Sequence, residues 1–378
     1  MNANAPPYRL AIVHEWLSII AGSEKVVGEL LALYPDADLF TLVDFFDDEA
    51  RTLVHGKRAQ TSFIQRLPFA KKSFRSYLPF MPLAIEQFDV SKYDVVISSH
   101  HAVAKGVLTH QNQLHICYCH SPMRYAWDFY HEYLREAKLD KGLRGMIAKM
   151  LLHYLRMWDV SSANRVDAFV ANSHYIARRI KRIYNRDATV IYPPVDVEKF
   201  ECNAQKDDYY LAVARFVPYK KVDVIVEAFS RMPDKKLVLI GEGDKAILKH
   251  ATRNIEVIGF QPFESLKTYL ASAKAFVYAA EEDFGITIVE AQASGTPVIA
   301  FGKGGATETV IDGKTGILFQ QQTAESLIEA IKKFEQMNFD ARAIRKNAER
   351  FDRTAFAEHI KTFIDEKYHD FLQAAHTR

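Results

Sequence analysis

Apolar runs of strand length alternate with amphipathic stretches along most of the chain. In the first half several runs lack the polar alternation of a half-exposed strand, which is typical of a parallel sheet covered by helices on both faces. The predicted strands are residues 9–15, 38–45, 93–101, 114–120, 166–173 and 188–192, and the predicted helices among them are 24–34 and 147–157.

The second half repeats this plan, with strands predicted at 209–216, 236–240, 255–259, 275–279 and 297–301 and helices at 222–230, 265–273, 287–294 and 324–336. Alternation of strands and helices on both sides of a central point predicts two doubly wound, Rossmann-like α/β domains that face each other across a cleft. The predicted parts are an N-terminal domain at 1–190, a linker at 191–207, a C-terminal domain at 208–353, and a C-terminal helix at 354–378 that packs back on the first domain.

Composition mainly excludes classes of protein. The 378 residues are 48% hydrophobic, which is enough apolar material for two cores. The 49 basic and 47 acidic side chains leave a net charge of +2, which argues against a nucleic-acid binder. Three cysteines are too few for a disulfide framework, the N-terminus lacks the layout of a signal peptide, and no apolar run is long enough to span a bilayer. We therefore expect a cytoplasmic protein.

The most informative segment is 281–299, which carries two carboxylates eight residues apart. Glu282 falls on the loop after a predicted strand, and Gly285 would let the backbone approach a ligand closely. Carboxylates accept hydrogen bonds from hydroxyl groups while backbone N–H groups donate them, so this loop predicts a site for a sugar. Glu290 has an alternative, structural interpretation, because Thr287 and Glu290 have the spacing of a helix capping box.

Arg215 and Lys220 lie in the loop after the predicted strand 209–216. A guanidinium and an ammonium that converge at one strand end suit a diphosphate, the first through two parallel hydrogen bonds and the second as a point charge. The alternative is a pair of solvated loop cations.

Histidines and cysteines concentrate between His100 and His120. Strand alternation places His115, Cys117 and Cys119 on one side and His120 on the other, and no metal-binding spacing is present. We therefore predict no metal site. His120 lies at a strand end, where it either contacts a ligand or is a buried structural histidine.

These motifs together resemble glycosyltransferase family 4, whose members are retaining enzymes of the GT-B fold that use nucleotide-sugar donors. The resemblance rests on Arg215 and Lys220, the turn Gly241-Glu242-Gly243, the segment EDFGITIVE from Glu282 to Glu290, EAQASGTPVIA and GGATETV…DGKTG. In the first half, CHSPMRYAWD, ANSHYIARRI and IYPPVD are similar to the branch of bacterial O-antigen and exopolysaccharide mannosyltransferases.

The resemblance implies a role for each matching position. Arg215 and Lys220 would bind the donor diphosphate and stabilise the leaving group, Glu290 would bind the ribose, and His120 would lie near the anomeric carbon, across the cleft from Glu282. Further implied donor contacts are Glu282, Phe284, Gly285 and Ile286 at the sugar, Gly22 at the phosphates, and Gly241 and Phe260. The acceptor pocket would be shaped by Arg124, Trp127 and Asp128. The sequence departs from the family pattern at Ala21, where a second glycine is common, and at Lys221, where glycine is usual.

The expected reaction transfers a hexose, in the first place mannose from GDP-mannose, and needs neither a metal nor a cofactor because cations and helix N-termini stabilise the phosphates. The alternatives are a UDP-glucose or UDP-galactose donor and a non-catalytic protein that binds sugar nucleotides. A nicotinamide-dependent oxidoreductase is disfavoured because no GxGxxG follows the first strand.

The segment 57–85, from Lys57 to Ile85, carries six cations and no acidic residue, with aromatic residues among the cations. This pattern suits anionic lipid head groups, and a second basic stretch covers 135–158. The alternative is a solvated face with a buried stripe. The lipid interpretation fits a lipid-linked saccharide acceptor and a peripheral location at the inner face of the cytoplasmic membrane.

Overall fold

The computed structural model describes residues 6–376, which divide into two compact units. Unit 1 consists of Met1–Tyr192 together with Ala357–Arg378, and unit 2 consists of Pro193–Phe356. Each unit contains one parallel β-sheet between helices, as the apolar runs predict.

The sheet of unit 1 has seven parallel strands in the order β3-β2-β1-β4-β5-β6-β7. The central strands β1, β4 and β5 are buried at every position, which explains why their sequences lack polar alternation. The strands are β1 Leu10–His14, β2 Asp38–Thr41, β3 Gln60–Thr61, β4 Val95–His100, β5 Leu114–Cys119, β6 Ala168–Ala171 and β7 Ala188–Val190.

The helices of unit 1 are more numerous than predicted. They are α1 Gly22–Leu33, α2 Asp48–Arg51, α3 Ala70–Ser73, α4 Met81–Ile85, α5 Tyr130–Glu136, α6 Gly142–Ala163 and α7 His174–Tyr184, with 3-10 turns at Thr52–Val54, Phe63–Arg66, Phe74–Phe80 and Ala104–Gly106. The helix predicted at 147–157 is therefore the middle of the longer helix α6. Helix α7 was not predicted, although the Ser173 hydroxyl caps its N-terminus by accepting a hydrogen bond from the Ile176 N–H.

The sheet of unit 2 has six parallel strands in the order β10-β9-β8-β11-β12-β13. They are β8 Tyr210–Val213, β9 Leu237–Ile240, β10 Ile255–Ile258, β11 Ala275–Tyr278, β12 Val298–Phe301 and β13 Gly316–Phe319. The helices are α8 Val222–Ser230, α9 Phe263–Ser272, α10 Ile286–Ala293, α11 Ala306–Thr309, α12 Ala324–Glu335 and α13 Ala341–Ala348, with 3-10 turns at Val197–Lys199, Pro218–Lys220, Lys245–Leu248 and Glu349–Phe351. Strand β13, which pairs with β12, was not predicted.

The last helix, α14 Arg353–His376, continues into unit 1. The Tyr8 hydroxyl donates to Asp365 Oδ1 at 2.8 Å, and the Tyr8 ring lies 4.8 Å from the ring of Tyr368. The prediction that the C-terminal helix packs back on the N-terminal domain is therefore confirmed.

Both sheets have the strand order of a Rossmann fold, which runs outward in both directions from a first central strand. The order reverses between β1 and β4 in unit 1 and between β8 and β11 in unit 2. Ligands of such sheets bind beyond the carboxyl ends of the strands at this switch point. Within residues 6–376, no helix combines the length and the apolarity that crossing a bilayer requires.

Candidate active site

The switch point of unit 2 collects the predicted charged residues. Arg215 and Lys220 follow strand β8, and Glu282 follows the adjacent strand β11. Because the carboxyl ends of neighbouring parallel strands lie at the same edge of a sheet, residues that are more than sixty positions apart come into contact here.

Lys220 and Glu282 form a direct ion pair. Lys220 Nζ lies 2.5 Å from Glu282 Oε1 and donates to the Tyr278 hydroxyl at 3.1 Å. Burial alone would lower the pKa of Lys220, but the charge of Glu282 and the neighbouring Tyr278 outweigh it and raise this pKa above its usual value. Lys220 is therefore a permanent cation, and its side chain and that of Glu282 remain 17% and 18% exposed.

Tyr219 links Arg215 to this pair. Arg215 Nη2 donates to the Tyr219 hydroxyl at 2.8 Å, and Lys220 Nζ lies 5.5 Å from the centre of the Tyr219 ring. The structure thus brings Arg215, Lys220 and Glu282 into one set of contacts. Sequence reasoning missed both tyrosines of this set, Tyr219 and Tyr278.

The turn Gly241-Glu242-Gly243 lies against the loop that carries Arg215. Gly241 and Gly243 have φ values of +148° and +145°, and a Cβ atom on Gly241 would lie 1.9 Å from the carbonyl oxygen of Ala214. Only glycine permits this approach. The close packing of the two loops gives Gly241 a structural reason to be glycine, while its predicted contact with the donor stays a prediction.

Phe260 is joined to the same turn. Its N–H donates to Glu242 Oε1 at 3.3 Å, while its side chain is largely exposed beyond the end of β10. Two of the predicted donor-binding segments are therefore in contact through Glu242.

Gly304 and Gly305, the two glycines of the segment GGATETV, pack against the backbone of Glu282. The Gly305 N–H donates to the Glu282 carbonyl oxygen at 2.8 Å, and a Cβ atom on Gly304 would lie 2.2 Å from that oxygen. A Cβ atom on Gly305 would lie 2.3 Å from the Cα atom of Phe284. Side chains at either position would displace the loop that carries Glu282.

The start of helix α10 corrects one prediction. The N-cap is Gly285, with φ of +88°, and the helix begins at Ile286, so Thr287 is not the cap. The proposed capping box is wrong because Glu290 lies five residues beyond the N-cap instead of three. Glu290 is almost fully buried in α10, and Phe284 is buried with its ring 5.4 Å from that of Phe351. The backbone from Phe284 to Ile286 thus forms the N-terminal end of a helix, where N–H groups favour electronegative ligands.

In unit 1, His120 ends a chain of hydrogen bonds that we term the His120 relay, formed by His120, Ser99, His14 and Glu24. His120 Nε2 lies 2.8 Å from Ser99 Oγ, and Ser99 Oγ lies 3.0 Å from His14 Nδ1. His14 Nε2 lies 3.4 Å from Glu24 Oε1. The sequence singled out only His120, although His14 and Ser99 lie at the ends of adjacent strands β1 and β4.

The relay holds the His120 ring through its Nε2 atom. Burial alone would raise the pKa of Glu24, but its hydrogen bond with His14 lowers it, so the carboxylate accepts from His14 Nε2–H. Burial, followed by the charges of neighbouring histidines, holds the pKa of His120 well below its usual range. His120 is therefore uncharged at neutral pH, and its Nε2 atom is directed at Ser99.

Helix α1 begins at Gly22 and is tied to the relay by Glu24. Glu24 Oε2 accepts hydrogen bonds from the Ala21 N–H and from the Ser23 hydroxyl, both at 3.0 Å. Gly22 thus lies at a helix N-terminus at the switch point of unit 1, which suits an anion. Its predicted contact with phosphate stays a prediction.

Glu15 is a further buried carboxylate that the sequence did not reveal. It accepts hydrogen bonds from the N–H groups of the four residues 101–104 after β4. Burial alone would raise the pKa of Glu15, but the hydrogen bond from His100 and the neighbouring His101 hold it well below its usual range. Glu15 therefore fixes the loop beside the His120 relay.

All three residues predicted for the acceptor pocket make contacts within unit 1. Trp127 Nε1 donates to Asp159 Oδ2 at 2.8 Å, and Asp128 forms an ion pair with Arg179. The Arg124 guanidinium lies over the Phe129 ring at 5.4 Å. These contacts give Trp127 and Asp128 a structural role, and an acceptor contact stays a prediction.

Comparison with known families follows the division into two units. Residues 20–199 match the family described as Glycosyltransferase Family 4, and residues 196–351 match the family described as Glycosyl transferases group 1. The two matches together span almost the whole chain. Both parts of the chain are therefore similar to glycosyltransferases, the first to family 4 and the second to group 1.

Two curated relatives are similar to part of the chain. The chain is 31% identical over 172 residues to an uncharacterized glycosyltransferase of Methanocaldococcus jannaschii, a match that covers 44% of this chain and 48% of the relative. It is 28% identical over 207 residues to a GDP-mannose-dependent alpha-(1-6)-phosphatidylinositol monomannoside mannosyltransferase of Mycolicibacterium smegmatis, which covers 44% of this chain and 53% of the relative. The chain thus spans about half the length of the curated relatives it matches.

The fold is shared with solved structures. HepE of Anabaena in complex with UDP superimposes with a TM-score of 0.67 at 17% identity and covers 95% of this chain and 100% of that one. The predicted fold class is therefore confirmed.

Proposed function

We propose that the protein is a retaining hexosyltransferase that transfers mannose from GDP-mannose to a lipid-linked saccharide. The observation that carries the proposal is the ion pair of Lys220 and Glu282 beside Arg215 at the switch point of unit 2. This arrangement combines cations for a diphosphate with a carboxylate for sugar hydroxyls.

The chemistry follows from where charge develops. As the bond between the anomeric carbon and the phosphate breaks, the diphosphate gains negative charge and the sugar becomes oxocarbenium-like. Arg215 and Lys220 stabilise this state more than the ground state, because they are fixed beforehand by Tyr219 and Glu282. Lys220 stays protonated because its pKa is raised.

The family resemblance supplies the stereochemistry of the proposal. It implies that the acceptor attacks from the face that the donor phosphate leaves, with that phosphate as the base, so the anomeric configuration is retained. The resemblance also implies that His120 lies near the anomeric carbon, where its imidazole would form a hydrogen bond with a hydroxyl group of the donor sugar.

The choice of donor draws on the relatives. The Mycolicibacterium relative is described as GDP-mannose-dependent, which favours GDP-mannose. The Anabaena structure contains UDP, which favours a UDP-hexose as the second candidate donor.

The proposed acceptor is a lipid-linked saccharide of surface-polysaccharide assembly, such as O-antigen or exopolysaccharide, reached from the inner face of the cytoplasmic membrane. Within the segment 57–85, Arg66, Lys71 and Lys72 are exposed beside the exposed ring of Phe69. Lys57 instead donates to the carbonyl oxygen of Ala37 at 2.7 Å and serves the fold. The remaining cations suit an anionic lipid surface.

The proposal is tested first by thermal unfolding with GDP-mannose, UDP-glucose, UDP-galactose and the free nucleotides. A ligand at about a hundred times its Kd adds about 2.7 kcal/mol of stability, so the true donor gives the largest rise in Tm. Anomeric proton signals then show whether the transferred sugar retains its configuration. Binding without any turnover toward saccharide acceptors would favour the non-catalytic alternative, and an unchanged Tm with every nucleotide sugar would overturn the proposal.

A further inference from the structure

Helix α6 has an exposed apolar stripe on the side that faces away from the core of unit 1. The inward side of the helix is buried at Gly145, Leu155 and Asp159. The stripe, which we term the α6 stripe, consists of the exposed residues Leu143, Met146, Ile147, Met150, Leu151, Tyr154 and Met157.

The spacing makes these residues one continuous surface. At 3.6 residues per turn they fall within an arc of about 140°, centred opposite the buried side of the helix. From Leu143 to Met157 the stripe runs roughly 20 Å along the helix at about 1.5 Å per residue. A contiguous apolar surface of this kind marks an interaction site, whereas single exposed apolar residues do not.

The charged residues of α6 that border the stripe are all positive. Lys141, Arg144 and Lys149 are exposed, Arg156 is half-buried, and no acidic residue occurs from Lys141 to Trp158. An apolar helix face bordered by cations has the composition of a helix that lies in the plane of a membrane interface. The segment 57–85 adds the exposed cations Lys71 and Lys72 to the same unit.

We infer that the α6 stripe docks on an anionic lipid surface, with its apolar side chains among the acyl chains and its cations at the head groups. The proposal rests on the proposed function only in so far as a lipid-linked acceptor requires a membrane. A second copy of the chain fits the surface less well, because a two-fold contact of α6 with itself would bring two all-positive borders together.

The test is co-sedimentation with vesicles of phosphatidylcholine and phosphatidylglycerol at low salt, without donor or acceptor. The unchanged protein is expected to bind these vesicles, to bind pure phosphatidylcholine vesicles weakly, and to be released by salt. Because no sugar nucleotide is present, a failure of this experiment leaves the proposed glycosyl transfer intact.

The variant that addresses the stripe is Met146→Glu combined with Met150→Glu. Met150 is 66% exposed and Met146 is exposed as well, so the variant is expected to fold. It should lower vesicle partitioning at least about tenfold. Ile311→Glu, which introduces one negative charge at an exposed apolar position of unit 2, is the control and should bind as the unchanged protein does. The Tm rise with the donor should be the same in all three proteins.

Two outcomes would overturn the inference. One is vesicle binding that the double variant leaves unchanged, which would move the contact to another surface. The other is a dimer in light scattering without vesicles that the double variant dissociates, which would make the stripe an interface between copies. Arg144→Glu sharpens the result, since it should weaken binding and reduce its dependence on salt.

Discussion

Each unit contains a lysine paired with a carboxylate at nearly the same distance. Lys105 Nζ lies 2.7 Å from Asp159 Oδ1 in unit 1, and Lys220 Nζ lies 2.5 Å from Glu282 Oε1 in unit 2. The side chains of the first pair have no exposed surface, whereas those of the second are each exposed by nearly a fifth.

The hydrogen bonds of the two pairs differ as well. The three protons of Lys105 are matched by Asp159 Oδ1, the Asp159 carbonyl oxygen and Ser162 Oγ, at 2.6–2.7 Å. Asp159 also accepts from the Tyr184 hydroxyl and from Trp127 Nε1. Within the part of the chain that the structure describes, Lys220 donates to Glu282 and Tyr278, so a third N–H remains for a ligand.

A short distance therefore does not distinguish a structural ion pair from a ligand-binding one. All three N–H groups of Lys105 have partners and solvent is excluded from it, so Lys105 is part of the core. Lys220 is partly exposed and keeps one N–H donor, so it is available to a phosphate. The first pair should control stability, and the second should control turnover.

Replacement of the buried cation is expected to have the largest effect. Lys105→Met leaves Asp159 as a buried charge without its main partner, and this should cost about 3–5 kcal/mol of unfolding free energy. Chemical denaturation measures the loss. The double variant with Asp159→Leu should recover part of the stability, because it removes the isolated charge. A loss below about 1 kcal/mol for the single variant would contradict the comparison.

Lys220→Ala should affect the reaction and leave the fold intact. Loss of a preorganised donor at the developing charge typically raises the barrier by about 2.7–4 kcal/mol, so we expect turnover to fall at least about a hundredfold. Steady-state kinetics with the donor identified by thermal unfolding gives this ratio, and denaturation checks the stability.

Lys249→Ala is the matched control for this variant. Lys249 is an exposed lysine in a loop of the same unit, and its removal should leave turnover unchanged. Near-normal turnover of Lys220→Ala would show that the ion pair of unit 2 is structural after all.

Much of the fold could be predicted because the core strands are short, mainly apolar runs between helical patterns. Strand β13 was missed because it has only four residues and begins at Gly316, where a Cβ atom would lie 1.9 Å from the Val298 carbonyl oxygen. The glycine and the preceding turn are typical of a loop. Only the pairing with strand β12 identifies this segment as a strand. Strand β3 is only two exposed residues long and carries no apolar signal.

The candidate site also has one part that the sequence predicts and one part that it does not. Charged residues at the ends of β8 and β11 could be predicted to meet, because the alternation of strands and helices fixes where strand ends collect. The His120 relay could not, because it depends on the register that places His14 opposite Ser99 in adjacent strands. That pairing joins positions 85 residues apart and leaves no local pattern in the sequence.

Ser99→Ala tests the relay in unit 1. Removal of the hydroxyl breaks the hydrogen bonds of Ser99 with His120 and with His14 and leaves a ring nitrogen of each histidine without this partner, which should cost about 1–3 kcal/mol of stability. Misorientation of His120 should also lower kcat by about tenfold, equivalent to about 1.4 kcal/mol.

Ser99→Thr separates positioning from packing, because it keeps the hydroxyl at the same place in strand β4. The threonine variant should restore most of the turnover. Equal turnover of the alanine variant and the unchanged protein would show that the relay only packs the switch point of unit 1.

The smallest effect is expected next to Lys220. Lys221 adopts the left-handed conformation, with φ of +53°, at the N-cap of α8, and this explains why glycine is usual there in the family. Lys221→Gly relieves the steric cost of the Cβ atom, which exceeds the added entropy of the unfolded chain, and should raise the unfolding free energy by about 0.5–1 kcal/mol. Lys249→Gly, at a right-handed position, should instead lower the unfolding free energy slightly.

The turnover of Lys221→Gly shows whether the Lys220–Glu282 pair depends on this backbone strain. If turnover stays constant while stability rises, the pair does not depend on the strain beside it. A fall in turnover would mean that the strained residue helps to hold Lys220 in place.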